Sequence, residues 1–277
     1  MYFQKKKESV LTLEQVKNKI RWALRRHPIL YYMRFAMICE NISAGVDDEN
    51  CFNTLNDRKD IAPLFESTFN KIELGGKSDL EKALTIANFL NKKIIGGPGL
   101  GLSSDVALYK MLNENAGVCS DFSQIYNVFC LMADIKVREY GVVEKFYNPQ
   151  FGHTFNEIYC GNLQKWIMLD VGKGVYYIDK VTEQPLSANE LFVQLRSQEN
   201  PQVYSFFEKK DDDRRLDKIY NSDSIPFLIT NYSNKTYDLY FNKYQNKVPG
   251  FLINFWLILV RKNFKFSFIL DDYKKFF

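Results

Sequence analysis

The stretch NENAGVCSDFSQIYNVFCLMAD, residues 113–134, decides the fold because it joins a glycine-led turn to a helix that begins with a cysteine. Cys119 lies at the positive end of this predicted helix, where backbone N–H groups have no intrahelical partner. That position stabilises a thiolate, which is the nucleophilic form of cysteine. Beyond the turn, apolar residues recur at the three- and four-residue spacing of an amphipathic helix, namely Phe122, Ile125, Tyr126, Phe129 and Met132.

The composition is that of a globular protein with little excess charge. Of the 277 residues 46% are hydrophobic and 25% are charged, and the net charge is +4. Because the basic residues are spread among acidic ones, we expect no nucleic-acid partner. The five cysteines form no Cys-x-x-Cys pair, which indicates a reduced, cytoplasmic protein unless a leader has been removed. The initial MYFQ resembles the end of a tag-cleavage site and is excluded from the prediction of the fold.

The sequence predicts three regions. Residues 5–77 are expected to be helical, with a capping-box pattern at Thr12 and a helix end at Pro28. Residues 78–200 are expected to form the core, and residues 201–277 a C-terminal extension packed on it. Within the extension, the apolar run 251–260 is too short to span a membrane, so it is expected to be a buried strand or a short core helix. The alternative is a weak contact with a membrane surface, which the basic residues Arg261, Lys262 and Lys265 would favour.

The core region reads as helices followed by short strands. Ser78 opens a capping box, and so does Ser187, so each is expected to begin a helix. The glycine-rich stretch 96–104 lacks the lysine of a phosphate-binding loop and is interpreted as a turn or lid. Four β-favouring runs separated by turn residues follow the cysteine helix, at 135–143, 152–160, 164–171 and 174–179. They predict an antiparallel meander, and therefore an α+β fold.

A base for the thiol is easy to search for because the chain has two histidines. His27 lies at a predicted helix end, where histidine is a common structural choice. His153 begins the predicted strand 152–160, and Asp170 ends the next one. A turn at Gly161 would join these strands into a hairpin with His153 and Asp170 as neighbours at its open end. Asp170 could then hold one ring nitrogen of His153 while the other faces Cys119.

Three motifs in this order resemble the signature of the transglutaminase-like superfamily of papain-related folds. They are GVCSDF at 117–122, GHTFNEIY at 152–159 and WIMLDV at 166–171. The resemblance extends over roughly residues 78–200 and implies a core in which a helix that begins with the nucleophile packs on an antiparallel sheet.

The resemblance also implies roles for individual residues. Cys119 would be the nucleophile, His153 the base and then the acid, and Asp170 the orienting carboxylate, without a cofactor or a metal. Asp121 and Glu157 match motif positions and would be supporting residues. The backbone N–H of Cys119 would supply one oxyanion donor, and the second is unassigned among Asn88, Asn91, Tyr109 and Asn115. The remaining cysteines are expected to be structural, namely Cys39, Cys51, Cys130 and Cys160.

The expected reaction is acyl transfer at an amide or ester carbonyl through a thioester of Cys119. The acyl acceptor would be water in a peptidase, amidase or deamidase, or an amine in a transamidase. The expected substrate is a peptide, a protein or another amide-bearing molecule. Two other interpretations stay open: a catalytically silent binding module of the same fold, and an accessory enzyme of a glycan or natural-product pathway.

Overall fold

A computed structural model describes residues 33, 36–42, 53, 61–143, 152–206, 213–231 and 233–276. Ile38–Phe276 form one compact unit. A separate unit consists of Met1–Met37 and Phe277, and its described residues Met33, Ala36 and Met37 are helical. The helix predicted between residues 12 and 28 lies outside the described residues, as do His27 and Cys51.

Two helices of the larger unit begin at the capping boxes that the sequence predicts. Ser78 and Ser187 each accept a hydrogen bond from the backbone N–H three residues ahead, and the glutamates at those positions accept one in return. The helices are α1 (Pro63–Phe69), α2 (Asp79–Lys93), α3 (Ser104–Asn113), α4 (Cys119–Met132), α5 (Ala188–Arg196), α6 (Asp213–Ile219), α7 (Asn234–Tyr244) and α8 (Gly250–Leu259), followed by a 3-10 turn at Tyr273–Phe276.

The described strands form a six-stranded sheet and a two-stranded one. They are β1 (Cys39–Asn41), β2 (Val137–Val143), β3 (Gly152–Cys160), β4 (Lys165–Leu169), β5 (Val175–Ile178), β6 (Gln202–Ser205), β7 (Ile225–Thr230) and β8 (Lys265–Phe268). The larger sheet has the order β1-β8-β7-β2-β3-β4 and is antiparallel except between β1 and β8. The predicted meander is confirmed for β2, β3 and β4, whereas β5 pairs with β6 in the smaller sheet. The fold is therefore α+β.

The prediction that residues 5–77 are helical is wrong at residues 39–41. Cys39–Asn41 form β1, which pairs in parallel with β8, so that Cys39 lies opposite Phe266. A short apolar run does not distinguish a helix from a strand by its periodicity. Here the unpaired edge of β8 supplies the hydrogen-bond partners that make it a strand.

The sheet crosses the predicted boundary at residue 200. β7 lies between β2 and β8, with Leu228 opposite Tyr140, so these two strands of the region after residue 200 belong to the sheet rather than to an extension packed on it. At Gly141 a Cβ atom would lie 2.3 Å from the ring of Phe227 on β7. Any side chain at residue 141 would therefore clash with the ring of Phe227, so glycine is needed there for β2 and β7 to pair.

A buried cluster lies on each face of the large sheet. The first cluster lies against α2, α3 and α4 and includes Leu90, Leu108, Ile125, Phe129, Val137, Ile158 and Ile167. The second lies on the opposite face with α5 and α6 and includes Tyr140, Phe155, Met168, Leu191, Phe192, Leu216 and Tyr220. Because α4 packs against β2 and β3, its first turn comes close to the start of β3.

Candidate active site

A glycine turn places Cys119 at the first position of α4. Gly117 has φ +97°, a conformation that residues with a Cβ rarely adopt, and its N–H donates to the carbonyl of Pro98 at 2.9 Å. Val118 is the N-cap and Cys119 follows it as the first helical residue. Its thiol is therefore next to backbone N–H groups that no carbonyl within the helix accepts. This is the position that the sequence predicts.

Asp121 fixes the loop that precedes the helix. Its carboxylate is almost fully buried and accepts hydrogen bonds from the backbone N–H of Val118 at 2.9 Å, of Leu100 at 3.0 Å and of Gly101 at 3.1 Å. These bonds tie the loop before α3 to the first turn of α4. A carboxylate at a helix N-terminus also has a favourable interaction with the helix dipole. The supporting role expected of Asp121 thus has a structural basis.

His153 and Asp170 meet at the open end of the β3–β4 hairpin. In the β3–β4 register Asn156 lies opposite Leu169, which places Asp170 one residue beyond β4, diagonal to His153. The Nε2 atom of His153 lies 2.6 Å from Oδ2 of Asp170. Because Nε2 faces Asp170, Nδ1 is the ring nitrogen left to interact with the thiol of Cys119, and this interaction helps to raise the pKa of His153. The structure therefore brings together all three residues that the sequence singles out.

The electrostatics of the site favour a thiolate beside an imidazolium. Burial lowers the pKa of His153, but the charge and hydrogen bond of Asp170 and the bond with Cys119 outweigh it and raise that pKa to about 10. Burial raises the pKa of Cys119, but His153 and the backbone N–H of Thr154 outweigh it, so the net pKa is lowered. The interval between a lowered thiol pKa and a raised imidazole pKa is the pH range in which both groups are charged.

Glu139 on β2 has a buried carboxyl group near Cys119. Asn127 of α4 donates to its Oε2 atom at 3.4 Å, and Asn156 donates to Asn127 at 2.8 Å. Burial, together with the charge of Cys119, raises the pKa of Glu139 to about 8. At neutral pH this side chain is therefore mostly protonated and adds little negative charge beside the thiolate. The sequence analysis did not identify Glu139, because a glutamate at a strand position normally faces solvent.

The other described cysteines have the properties of packed side chains. Cys39, Cys130 and Cys160 are free and buried. Burial raises the pKa of Cys39 to about 12, and it also raises the pKa of Cys130. Cys119, whose pKa is lowered and whose side chain is partly accessible, therefore differs from these packed cysteines.

The predicted candidates for the second oxyanion donor do not converge on the thiol. The side-chain amide of Asn91 donates to the carbonyl of Val171 at 2.5 Å, which holds the segment next to Asp170. Tyr109 is 57% exposed on α3, and Asn115 is exposed in the turn before α4. In the described part of the chain, no hydrogen bond joins these residues or Asn88 to Cys119.

Tyr220 is a residue of the site that the sequence analysis missed. Its hydroxyl donates to Oδ2 of Asp170 at 2.7 Å, and its ring lies edge-on to the ring of His153. It comes from the segment between α6 and β7, in the region to which the sequence analysis assigned no chemistry. No local signal identifies it, because its position depends on pairing between distant strands.

A comparison with models of protein families agrees with the resemblance. A model of the transglutaminase-like superfamily matches residues 66–171. A crystal structure of a candidate cysteine protease from Cytophaga hutchinsonii aligns with 46% of this chain at 22% identity and a TM-score of 0.30. The aligned part covers 48% of that protein, which is about half of its length. No curated protein matches the chain described here. The matched residues 66–171 include all three motifs, so this part of the chain is similar to the transglutaminase-like superfamily.

Proposed function

We propose that this chain is a thiol enzyme that transfers acyl groups from an amide or ester carbonyl through a thioester of Cys119. The observation that supports the proposal is the connected series of thiol, imidazole and buried carboxylate at the N-terminus of α4. A nucleophile, a base and a group that orients the base are the components that such chemistry requires.

In the first half of the reaction, the thiolate sulfur of Cys119 attacks the carbonyl carbon, and the carbonyl oxygen takes up the negative charge. The backbone N–H of Cys119 can donate to that oxyanion. Protonated His153 then gives its proton to the departing amine or alcohol as the bond between carbon and the leaving group breaks. The products are a thioester on Cys119 and a neutral imidazole.

In the second half, neutral His153 removes a proton from the acceptor, which attacks the thioester carbonyl. Water as the acceptor gives a carboxylic acid, as in a peptidase or amidase, and an amine gives a new amide, as in a transamidase. The thiolate leaves and the imidazolium forms again, so protons and electrons balance over the cycle. The proposed substrates are peptides, proteins or other amide-bearing molecules.

The reactivity of Cys119 towards iodoacetamide as a function of pH tests the ion pair. Because the pKa of Cys119 is lowered, its thiolate fraction should be high at pH values well below 8.5, at which an ordinary cysteine is mostly protonated. At pH 6 we expect alkylation at least about tenfold faster than for the same cysteine in the urea-unfolded chain. Peptide-level mass spectrometry would separate Cys119 from the other cysteines.

The variant His153→Ala is the matched comparison. Loss of the imidazolium should move the alkylation profile of Cys119 towards that of a free thiol and remove most of the advantage at pH 6. A profile with an ordinary pKa that is indifferent to this substitution would contradict the proposal and favour a binding module.

The acyl step itself can be followed with p-nitrophenyl acetate. We expect a burst of about one equivalent of nitrophenol and an acetyl group on Cys119 in the quenched protein. Cys119→Ala should abolish the burst, and His153→Ala should slow it strongly. If Cys119 reacts rapidly with iodoacetamide but takes up no acetyl group from this activated ester, the result would argue against acyl transfer.

A further inference from the structure

The helix α8 has two apolar faces, and one of them is exposed. On the inner face Ile253 and Leu257 are buried against Phe241 of α7. The outer face follows the spacing of one helical stripe and has exposed fractions between 42% and 59%; it consists of Leu252, Phe255, Trp256 and Leu259. Exposed large side chains that form one continuous stripe, rather than lying singly, mark an interaction surface.

The dimensions of α8 fit a helix that lies on a bilayer rather than one that crosses it. Its 10 residues are about 15 Å long, half of the roughly 30 Å hydrocarbon core. None of the helices that the structure describes has the length and apolar character needed to cross a membrane. A short apolar helix with an aromatic and aliphatic outer face instead suits insertion at the depth of the lipid headgroups.

Most of the charged side chains near α8 in the chain are basic, although Asp238 and Asp271 flank this segment. Residues 239–270 contain five basic side chains and no Asp or Glu, a formal charge of +5, whereas the whole chain has +4. The rest of the chain therefore has a formal charge of −1. One of the five, Lys265, pairs with Glu40 at 2.6 Å. The others lie at or near the ends of α7 and α8, namely Lys243, Lys247, Arg261 and Lys262.

These charges favour an anionic partner over a second copy of the chain. In a two-fold dimer the same patch faces itself, so the basic residues would be brought together without acidic residues to pair with them. An anionic bilayer offers an apolar interior for the outer face of α8 and phosphate groups for the basic residues at the ends of α7 and α8. We propose that the outer face of α8 binds the surface of an anionic lipid bilayer.

The helix is attached to the domain that carries Cys119. On α7, which packs against α8, the carboxylate of Asp238 accepts hydrogen bonds from the backbone N–H and the hydroxyl of Ser104, at 2.8 and 3.0 Å. At the start of α8, a Cβ on Gly250 would lie 3.7 Å from the carbonyl of Gly101, whose N–H is held by Asp121. Binding through α8 would therefore hold the catalytic core itself at the membrane.

Co-sedimentation of the full chain with vesicles tests the proposal. We expect the protein to pellet with vesicles of phosphatidylcholine and phosphatidylserine at low salt, and much less with phosphatidylcholine alone or at high salt. The double variant Phe255→Ser/Trp256→Ser should lose at least about tenfold in partitioning. Tyr109→Ser, which removes an exposed aromatic ring from α3, is the matched control and should bind normally.

The charge contribution is tested separately with Arg261→Glu/Lys262→Glu, for which Lys92→Glu/Lys93→Glu at the end of α2 is the control. The first pair should weaken binding to anionic vesicles and the second should not. Failure of the full chain to pellet with anionic vesicles would overturn the proposal. So would a dimer in light scattering that the Phe255/Trp256 variant converts to a monomer, because the second copy would then be the occupant.

Discussion

Asp170 is the residue on which the geometry of the site depends. It is fully buried, and its Oδ2 atom is shared by Nε2 of His153 and the hydroxyl of Tyr220. The other oxygen, Oδ1, accepts the backbone N–H of Lys173 at 3.0 Å. A buried carboxylate is tolerated only when its acceptor sites are filled. Tyr220 and Lys173 therefore help to keep Asp170 in place, and through it the ring of His153.

The substitution Tyr220→Phe tests this arrangement. It keeps the ring, which packs against Phe155 and Tyr177, and removes the donor to Asp170. A hydrogen bond to a charged group contributes about 1.5–3 kcal/mol, so we expect the free energy of unfolding in urea to fall by that amount. The matched control is Tyr177→Phe, a buried tyrosine of the same cluster that forms no hydrogen bond with Asp170. Equal effects of the two substitutions would show that the hydroxyl of Tyr220 contributes nothing specific.

Among the elements, β2, β3 and α5 are joined by one buried ion pair. Nε of Arg138 lies 2.6 Å from Oε2 of Glu157, and the guanidinium stacks 4.0 Å from the centre of the Trp166 ring. The other carboxylate oxygen of Glu157 accepts the N–H of Ala188 at the first turn of α5. One glutamate thus connects two strands and a helix start, which is the supporting role that its motif position implied.

Glu157→Ala should be strongly destabilising. It would break the buried ion pair between Arg138 and Glu157, and removing one member of such a pair typically costs about 3–5 kcal/mol in the free energy of unfolding. The double variant Arg138→Met/Glu157→Leu removes both charges and should recover most of that loss, because apolar pairs of similar volume often replace buried ion pairs at little cost. Urea denaturation of the two variants and the wild type measures the difference. A double variant as unstable as the single one would mean that the bond to Ala188 dominates.

For the whole molecule, the sequence predicted what local patterns determine. The helix that begins at Cys119, the hairpin that carries His153 and the capping boxes at Ser78 and Ser187 each depend on residues near one another in the chain. The position of Tyr220 could not be predicted in this way. It depends on β7 pairing with β2 across some ninety residues of chain, and that pairing has no local sequence signal.

A truncation after Asn200 should therefore abolish the fold, although the superfamily match ends at residue 171. The shortened chain lacks β7 and β8, which leaves the edge of β2 unpaired in the middle of what is a six-stranded sheet, and it lacks Tyr220. We expect aggregation on gel filtration and no cooperative urea transition in far-UV circular dichroism. The matched control ends after Leu270, keeps every described strand and should unfold cooperatively, with a small loss from the partly exposed Arg196–Asp271 pair. Cooperative unfolding of the chain that ends at Asn200 would mean instead that the core folds without its C-terminal strands.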